Sequence, residues 1–546
     1  MQEVSANWKN AHRQTLLRES YVEVSLGIGD PEALADAASR DNGAIYISDS
    51  PKIVSEVDKN IVPYATLEQN LWLLSGERKA LPESDYGECG YIGDVLSDDT
   101  CVFSSKMPIV TIDFTELFIK PIPGVTITWS ATFGEFAENF IVTAYKGETI
   151  VSQKEVVDNN SVTISVWLDI AEYDRIEIRV KKWCLPRHRP RIEEIFVGIN
   201  MVYTKTELFD YRHKQSVDPI CTSLPKAEIS FSIDNVNGDY NPYNENGISK
   251  YLMERQEVRA KYGLKLNDGT IEWVKGGTFY LSDWYAKQNG LSADFTARDL
   301  LEFMSATFHD NFTELKSRSL LELATSLLES AELPLNADGT VKWKIDEGLD
   351  SIFITAPLPE DSIANCLQLI ANAGRCVMYQ DRTGTLRIEP MLFENLAPSG
   401  YEINSFNSYS KSEITLSKPI KEVRVKAYNY RMGDKGIEST TIEVSHRIGD
   451  IGETITVDNP LITYEISENG DIDTSIASDV CSWIATYLRQ RMSLDFSWRA
   501  DVRLDALDVI SNQNDYRTNN AIMTDVEFKY SGAFRGTGKG KVISYE

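Results

Sequence analysis

Residues 217–300 constrain this chain more than any other stretch. Ala227, Ile229, Phe231 and Ile233 alternate there with Glu228, Ser230, Ser232 and Asp234. That is the period-two pattern of a strand with one buried face. The next run, Asn235-Val236-Asn237-Gly238-Asp239-Tyr240-Asn241-Pro242, must turn, because Asn, Gly, Asp and Pro favour turn geometries. Val258, Ala260 and Tyr262 start a second alternating strand and residues 279–284 a third. Ala293, Phe295 and Ala297 mark a fourth, which runs into an apolar helix at 300–304. Successive strands with tight turns and a closing helix predict a small antiparallel barrel or sandwich.

The order of these pieces is distinctive. A strand ends in Asp234-Asn235, a polar turn carries Tyr240-Asn241-Pro242, and a strand follows Glu254-Arg255-Gln256. A Gly277-Thr278-Phe279 strand comes next, then Thr296-Ala297-Arg298-Asp299-Leu300-Leu301. The stretch resembles the first barrel of the baseplate hub, or tail-associated, proteins of tailed bacteriophages and contractile injection systems. The far end of the chain resembles the same family. It carries Arg499, Asp501, Arg503, Leu504, Asp505 and Asp508, then Tyr530, Gly532, Ala533, Arg535 and Gly536. So does the middle, where a helix leads to a hairpin ending in Arg387-Ile388-Glu389-Pro390.

At 546 residues the chain has room for about three to five domains. An apolar content of 42% is enough for packed cores, which excludes a disordered chain. Tyr21, Glu23 and Ser25 alternate with Val22, Val24 and Leu26, giving a strand that the resemblance places in the first barrel. A short amphipathic helix with Trp8, Ala11, Leu16 and Leu17 precedes it. The distance from this strand to the rest of the barrel is far beyond the ~12–15 residues usual for a loop, so an inserted domain is expected. Within it, Val110/Ile112/Phe114, Val125/Ile127/Trp129, Phe140/Val142/Ala144, Val162/Ile164/Val166 and Ile176/Ile178/Val180 are alternating sets. They predict a jelly-roll or β-sandwich, and their order resembles discoidin-like carbohydrate-binding modules.

The expected fold class is α+β, mainly β and multidomain. It has two hub-type antiparallel β-barrels, an α/β middle domain and an inserted jelly-roll β-sandwich. The divisions are 1–61, first part of the N-terminal barrel; 62–202, the insertion; 203–305, the remainder of that barrel; 306–395, the middle domain; and 396–546, the second barrel region with a helix at 475–491. Ser319 and Glu322 form a capping box for a middle-domain helix. Ile363, Leu367, Ile370 and Ala371 mark a second helix that stops at Gly374.

The net charge of −27 makes stable nucleic-acid binding a poor expectation, since that needs a positive footprint on phosphates. The seven cysteines include no C-x-x-C pair, which argues against a zinc ribbon or a dense disulfide framework. The N-terminus lacks an apolar core long enough for a signal peptide, and no stretch approaches a membrane span of ~20 residues.

Catalytic signatures are missing: there is no H-E-x-x-H, G-x-S-x-G or P-loop, and His12, His188, His213, His309 and His446 are isolated in sequence. The chain reads as a non-enzyme with no catalytic residues, metal or cofactor. Two features have a ligand reading beside a plain one. The basic run Lys181–Arg191, with Arg187 and Arg189, is either a patch for an anionic polymer or a solvated loop paired with the protein's own acids. Trp72 and Tyr91, in the irregular lead-in of the insertion, are candidate sugar-stacking aromatics, whereas Trp129 shares a strand face with Val125 and Ile127 and reads as core. Asp98 and Asp99 alone fall short of the six to eight oxygens of a calcium site.

The resemblance implies a structural hub or tail-tip protein, a homotrimer assembled in the bacterial cytoplasm and carried in the virion tail. It implies contacts with the tail tube or distal-tail ring, the tape-measure protein and spike or fibre proteins, with DNA only in transit. The insertion would bind host-surface glycan or brace neighbouring subunits. A tail-associated peptidoglycan hydrolase and a distal-tail ring or adhesin protein are the alternatives.

Overall fold

The computed structural model describes the chain except residues 15–17, 55–60, 67, 69–70, 72–88, 287–289, 311–314, 337–339, 395, 434–435, 514 and 546. The fold is α+β, mainly β, with several sheets and three large apolar cores. Among the described residues no helix is long and apolar enough to cross a membrane.

The largest sheet has 13 strands and is a duplication. Its first unit comprises β1 (Ser20–Ile28), β2 (Leu208–Ser216), β3 (Lys226–Asp234), β4 (Glu257–Lys265), β5 (Ile271–Ala286) and β6 (Ser292–Arg298). Its second comprises β7 (Glu402–Ile403), β8 (Glu413–Leu416), β9 (Met492–Trp498), β10 (Val509–Gln513), β11 (Thr518–Tyr530) and β12 (Phe534–Tyr545). In the first unit the strands lie in the order β1-β4-β5-β6-β3-β2, and in the second β7-β10-β11-β12-β9-β8. Each strand of the second unit therefore repeats, in chain order and sheet position, the strand six earlier. One ladder departs from the repeat, since β1 and β4 are antiparallel whereas β7 and β10 are parallel. Burial follows the sequence alternation: Val22, Val24 and Leu26 of β1 and Ile229, Phe231 and Ile233 of β3 are buried.

The units are joined directly. β2 pairs antiparallel with β11, from Tyr211↔Tyr530 to Ser216↔Asp525. The expectation is two hub-type antiparallel β-barrels. The strands assigned to them form one continuous path, and one core draws on both, from Val24 and Phe231 to Trp498 and Phe528. The physical reason is that β2 would otherwise expose a row of unpaired backbone groups, which β11 satisfies. The path ends at β8 on one side and at the strand Ile199–Tyr203, beside β1, on the other.

The inserted module has a five-stranded and a three-stranded sheet around a common core that includes Ile112, Trp129, Phe140, Val166, Ile178 and Ile195. It begins earlier than residue 62. Asp30 caps a helix starting at Pro31, which turns the chain out of β1, and Ala38–Asp41 pairs with Ile109–Phe118. Ala33, Ile53 and Val54 lie in the module core. The module returns through Ile199–Tyr203, which pairs with β1, and Asp169 accepts hydrogen bonds from Lys250 and the Tyr251 hydroxyl.

The central unit spans more of the chain than 306–395. The helices Leu320–Ser330 and Ile363–Ala373 share a core with the sheet Gly436–Arg447/Ile420–Gly433/Glu453–Thr463 and the helix Ser475–Arg489. Residues 420–489 thus leave the second unit between β8 and β9 and join the middle domain. The buried Asn459 amide donates to Leu369 O and Asn372 Oδ1, and Asn372 donates to Ile220 O, so a polar thread ties the parts. Ser319 and Ser362 cap their helices through the amides of Glu322 and Asn365. Gly374 ends its helix without a left-handed conformation (φ −81°); Arg375 takes that role at φ 57°. Gly374 is needed for space, because a Cβ there would meet Leu349. The helix near the N-terminus covers Ala6–His12, with Trp8 and Ala11 buried; Leu16 and Leu17 lie outside the described residues.

Candidate functional site

Asp299, Asp505 and Asp508, singled out far apart in the chain, line one region where the two sheet units and the central hairpin meet. The hairpin Cys376–Gln380/Leu386–Pro390 places its turn against both units. Arg382, 4% exposed, donates through Nε to Asp505 Oδ1 (2.6 Å), through Nη1 to Lys275 O of β5 (2.9 Å) and through Nη2 to Leu504 O (2.9 Å). One side chain thus clamps the middle domain to the first unit and to the loop before β10. Gln2 also donates to Asp505 (3.0 Å). Burial works to raise the Asp505 carboxyl, but Arg382 and Gln2 outweigh it and hold it below the ordinary value of 3.8.

The neighbouring loop has the same character. Arg503 grips Asp501 bidentately at 2.8 and 2.5 Å, with both residues buried. Asp508 accepts the Asp505 amide (2.8 Å), closing the turn. Asp299 caps the short helix Leu300–Phe303 by accepting the Leu301 amide (3.1 Å), and its other oxygen accepts the Ala227 amide at the start of β3 (2.8 Å). Burial pushes its carboxyl up to about 7. Arg298 is half-exposed and lies near Glu228, Asp283 and Glu302. Around these groups lies a cavity of about 510 Å³, lined by Gln215, Lys226, Asp299, Tyr379, Arg382 and Asp505 among others.

The other motif residues shape turns and close packing. Asp234 accepts the Val236 amide, Asn235 accepts the Tyr240 amide and Asn241 accepts the Tyr243 amide, ahead of Pro242 in the same loop. The Tyr240 hydroxyl is buried against that of Tyr203. Gly532 turns between β11 and β12 at φ +87°. A Cβ on Gly536 would sit 2.9 Å from the Trp498 indole. Arg535 lies over the Tyr409 ring.

The candidate ligand residues do not gather. Trp72 lies outside the described residues. Tyr91 is fully buried in the module core and donates to Gly43 O, so it presents no face for a sugar. Arg187 pairs with Asp99 (2.8 Å) and Arg189 donates to the carbonyls of Gly93 and Asp94. The rest of the basic run is spent likewise: Lys181 on Glu155, Lys182 on Glu138, Arg191 on Glu68. Trp129 is in the core. Asp98 accepts from Thr100 and Val102 in its own turn. Among the described residues no group of three or more His, Cys, Asp or Glu could hold a metal ion.

Sequence reasoning missed Arg382 and Gln2. Arg382 sits in Asp381-Arg382-Thr383-Gly384, which reads as a solvent turn, and no local pattern marks its burial.

The architecture is therefore a duplicated sheet that brackets an α/β centre, its shared loops held by buried Arg–Asp pairs. No family model matches the chain, and no curated protein matches it. Among solved structures it is similar to a tail protein from Neisseria meningitidis MC58, at 12% identity over 63% of this chain and 94% of that one, with a TM-score of 0.42. It is also similar to the 43 kDa tail protein of prophage MuSo2 from Shewanella oneidensis, at 10% identity over 62% and 95%, with a TM-score of 0.39. Prophage tail protein gp18 from Listeria monocytogenes EGD-e gives 10% identity over 63% and 91%, also with a TM-score of 0.39.

Proposed function

We propose that this chain is a structural hub of a phage-type tail tip, a ring-forming protein and not an enzyme. The observation that carries this reading is the duplication: two copies of one six-strand unit lie side by side in one sheet, joined by β2 and β11. A chain with two equivalent units can meet a sixfold tube with three copies. That symmetry adaptation is what the hub resemblance of the motif residues implies. The buried clamp at Arg382–Asp505 fits a load-bearing part, since Arg382 ties the middle domain to β5 of the first unit and to the loop before β10, and the Arg503–Asp501 pair stiffens that loop. Its neighbours are then the tail tube or distal-tail ring, the tape-measure protein and spike or fibre proteins, with DNA passing through the channel. The inserted module stands on β1 and serves host-surface or inter-subunit contact.

The test is a reconstruction of the tail end of the parent particle. Three copies closing the tube support the hub reading. Six copies assign the chain to the distal ring, and its absence from the particle refutes a structural role there. Zymography of the purified chain on peptidoglycan checks the hydrolase alternative, and a clearing band would overturn the non-enzyme reading.

A further inference from the structure

The duplication says what should cover an edge that one chain leaves open. Within the chain the first unit ends on β2, and β2 is paired by the distal half of β11, Asp525–Tyr530. That half is available because β10 occupies only the proximal part of the same side, from Gln513↔Thr518 to Val509↔Ile522. β12 runs along the other side of β11. The counterpart of β2 in the second unit is β8, and the counterpart of β11 in the first is β5. β8 pairs with β9 on one side and then ends the sheet. β4 covers β5 only from Ile271 to Tyr280, while β6 takes the other side of Tyr280–Ala286. Among the described residues no strand lies on the β4 side of Asp283–Ala286. The two edges that mate within the chain thus have equivalents that do not.

Both open edges carry exposed apolar side chains among polar ones. Ile414 and Leu416 on β8 are 49% and 63% exposed, and Tyr285 on the β5 edge is 59% exposed. All four residues of β8 are exposed, and Glu413-Ile414-Thr415-Leu416 contains no proline or lysine of the kind that blunts a free edge. The two edges cannot reach each other within a chain by sliding, since six strands of the same sheet are fixed between them.

We infer that β8 of one copy pairs antiparallel with Asp283–Ala286 of β5 in a second copy, repeating between chains the β2–β11 junction made within each. The inference rests on the ring-forming reading and names the surface that makes the ring. Each copy offers one β8 and one β5 edge, so the contact is head-to-tail and not an isologous dimer; it closes into a ring under the ring-forming reading. Backbone pairing sets the register, and Ile414, Leu416 and Tyr285 lose water at the seam.

The test uses the full chain with cysteine pairs across the seam, Thr415→Cys with Tyr285→Cys and Ile414→Cys with Trp284→Cys. Strands in register bring Cα atoms within disulfide reach of about 4.4–6.8 Å. Mild oxidation should give an intermolecular ladder on a non-reducing gel for at least one double variant and for none of the single ones. In sedimentation, Leu416→Asp should raise the concentration of half-assembly at least ~tenfold, as expected for a charge placed in a desolvated contact. If the wild-type chain assembles, yet neither pair cross-links and Leu416→Asp assembles normally, the seam is overturned while the ring reading stands. A wild-type chain that stays monomeric at every concentration overturns the ring reading and the seam with it.

Discussion

Protonating His213 should pull the two sheet units apart. His213 lies on β2 opposite Phe528 of β11, at the junction between the units, and is 1% exposed. Its ring packs on Phe279 and Phe528. Nδ1 lies 2.8 Å from the Tyr262 hydroxyl, and Nε2 is buried without a hydrogen-bond partner. Burial, with the nearby Arg382 charge, pushes the imidazole from 6.5 down to about 3; the Asp505 carboxylate works to raise it, but it is outweighed. The unfolded chain therefore takes up a proton below pH 6.5, and the folded chain does not until about pH 3. Stability from this residue is complete above pH 6.5 and is lost as pH falls through that window. Going from pH 7 to pH 5 removes about 2 kcal/mol, at ~1.4 kcal/mol per pH unit once well below the unfolded value. The assay compares wild type with His213→Gln by hydrogen exchange of the β2 and β11 amides, with the intrinsic pH dependence divided out. Carboxylates common to both proteins cancel in the difference. The stability gap should shift in favour of the variant by about 2 kcal/mol between pH 7 and pH 5. A gap that stays flat across that range refutes the argument.

Three other outcomes follow from the same geometry. Arg382→Ala leaves Asp505 without its charge partner and removes the donors to two carbonyls, so it should cost about 3–5 kcal/mol in urea denaturation, and Arg382→Lys should not restore it; an unchanged midpoint would contradict the clamp. Gly536→Ala drives a Cβ into Trp498 and should cost about 1–3 kcal/mol, seen as a lower melting temperature. In the inserted module the hydrogen bond from His188 to Glu135 raises the imidazole above 6.5. That contribution is present below the unfolded value and lost as pH rises through the raised folded one. NMR titration should show the His188 value fall in Glu135→Gln, and no change would dissolve the pair.

Much of the local structure was legible in the sequence. Alternation at 227–233 and 20–28, the serine cap at Ser319, and the hairpin at 376–390 are set by residues close in the chain, whose side-chain direction follows from strand and helix periods. The turn roles of Asp234, Asn235, Asn241 and Gly532 are similarly local. Where an element docks was not legible. Ala33–Val54 reads as a continuation of β1 but packs in the inserted module, and 420–489 lies between β8 and β9 but shares the core of the central helices.

Tyr91 illustrates the limit for sites, because an aromatic in an irregular segment looks available until the strand pairing of Tyr91–Ile92 with Arg191–Ile192 buries it. By itself the sequence determined which faces are apolar, where the chain turns and which residues resemble the hub family. Only the tertiary structure decided that two units share one sheet, that Arg382 reaches Asp505, and that β2 is paired on both sides while β8 ends the path among the described residues. Periodicity and turn chemistry act over a few residues, whereas those outcomes depend on backbone and charge partners hundreds of positions apart, which no local pattern encodes.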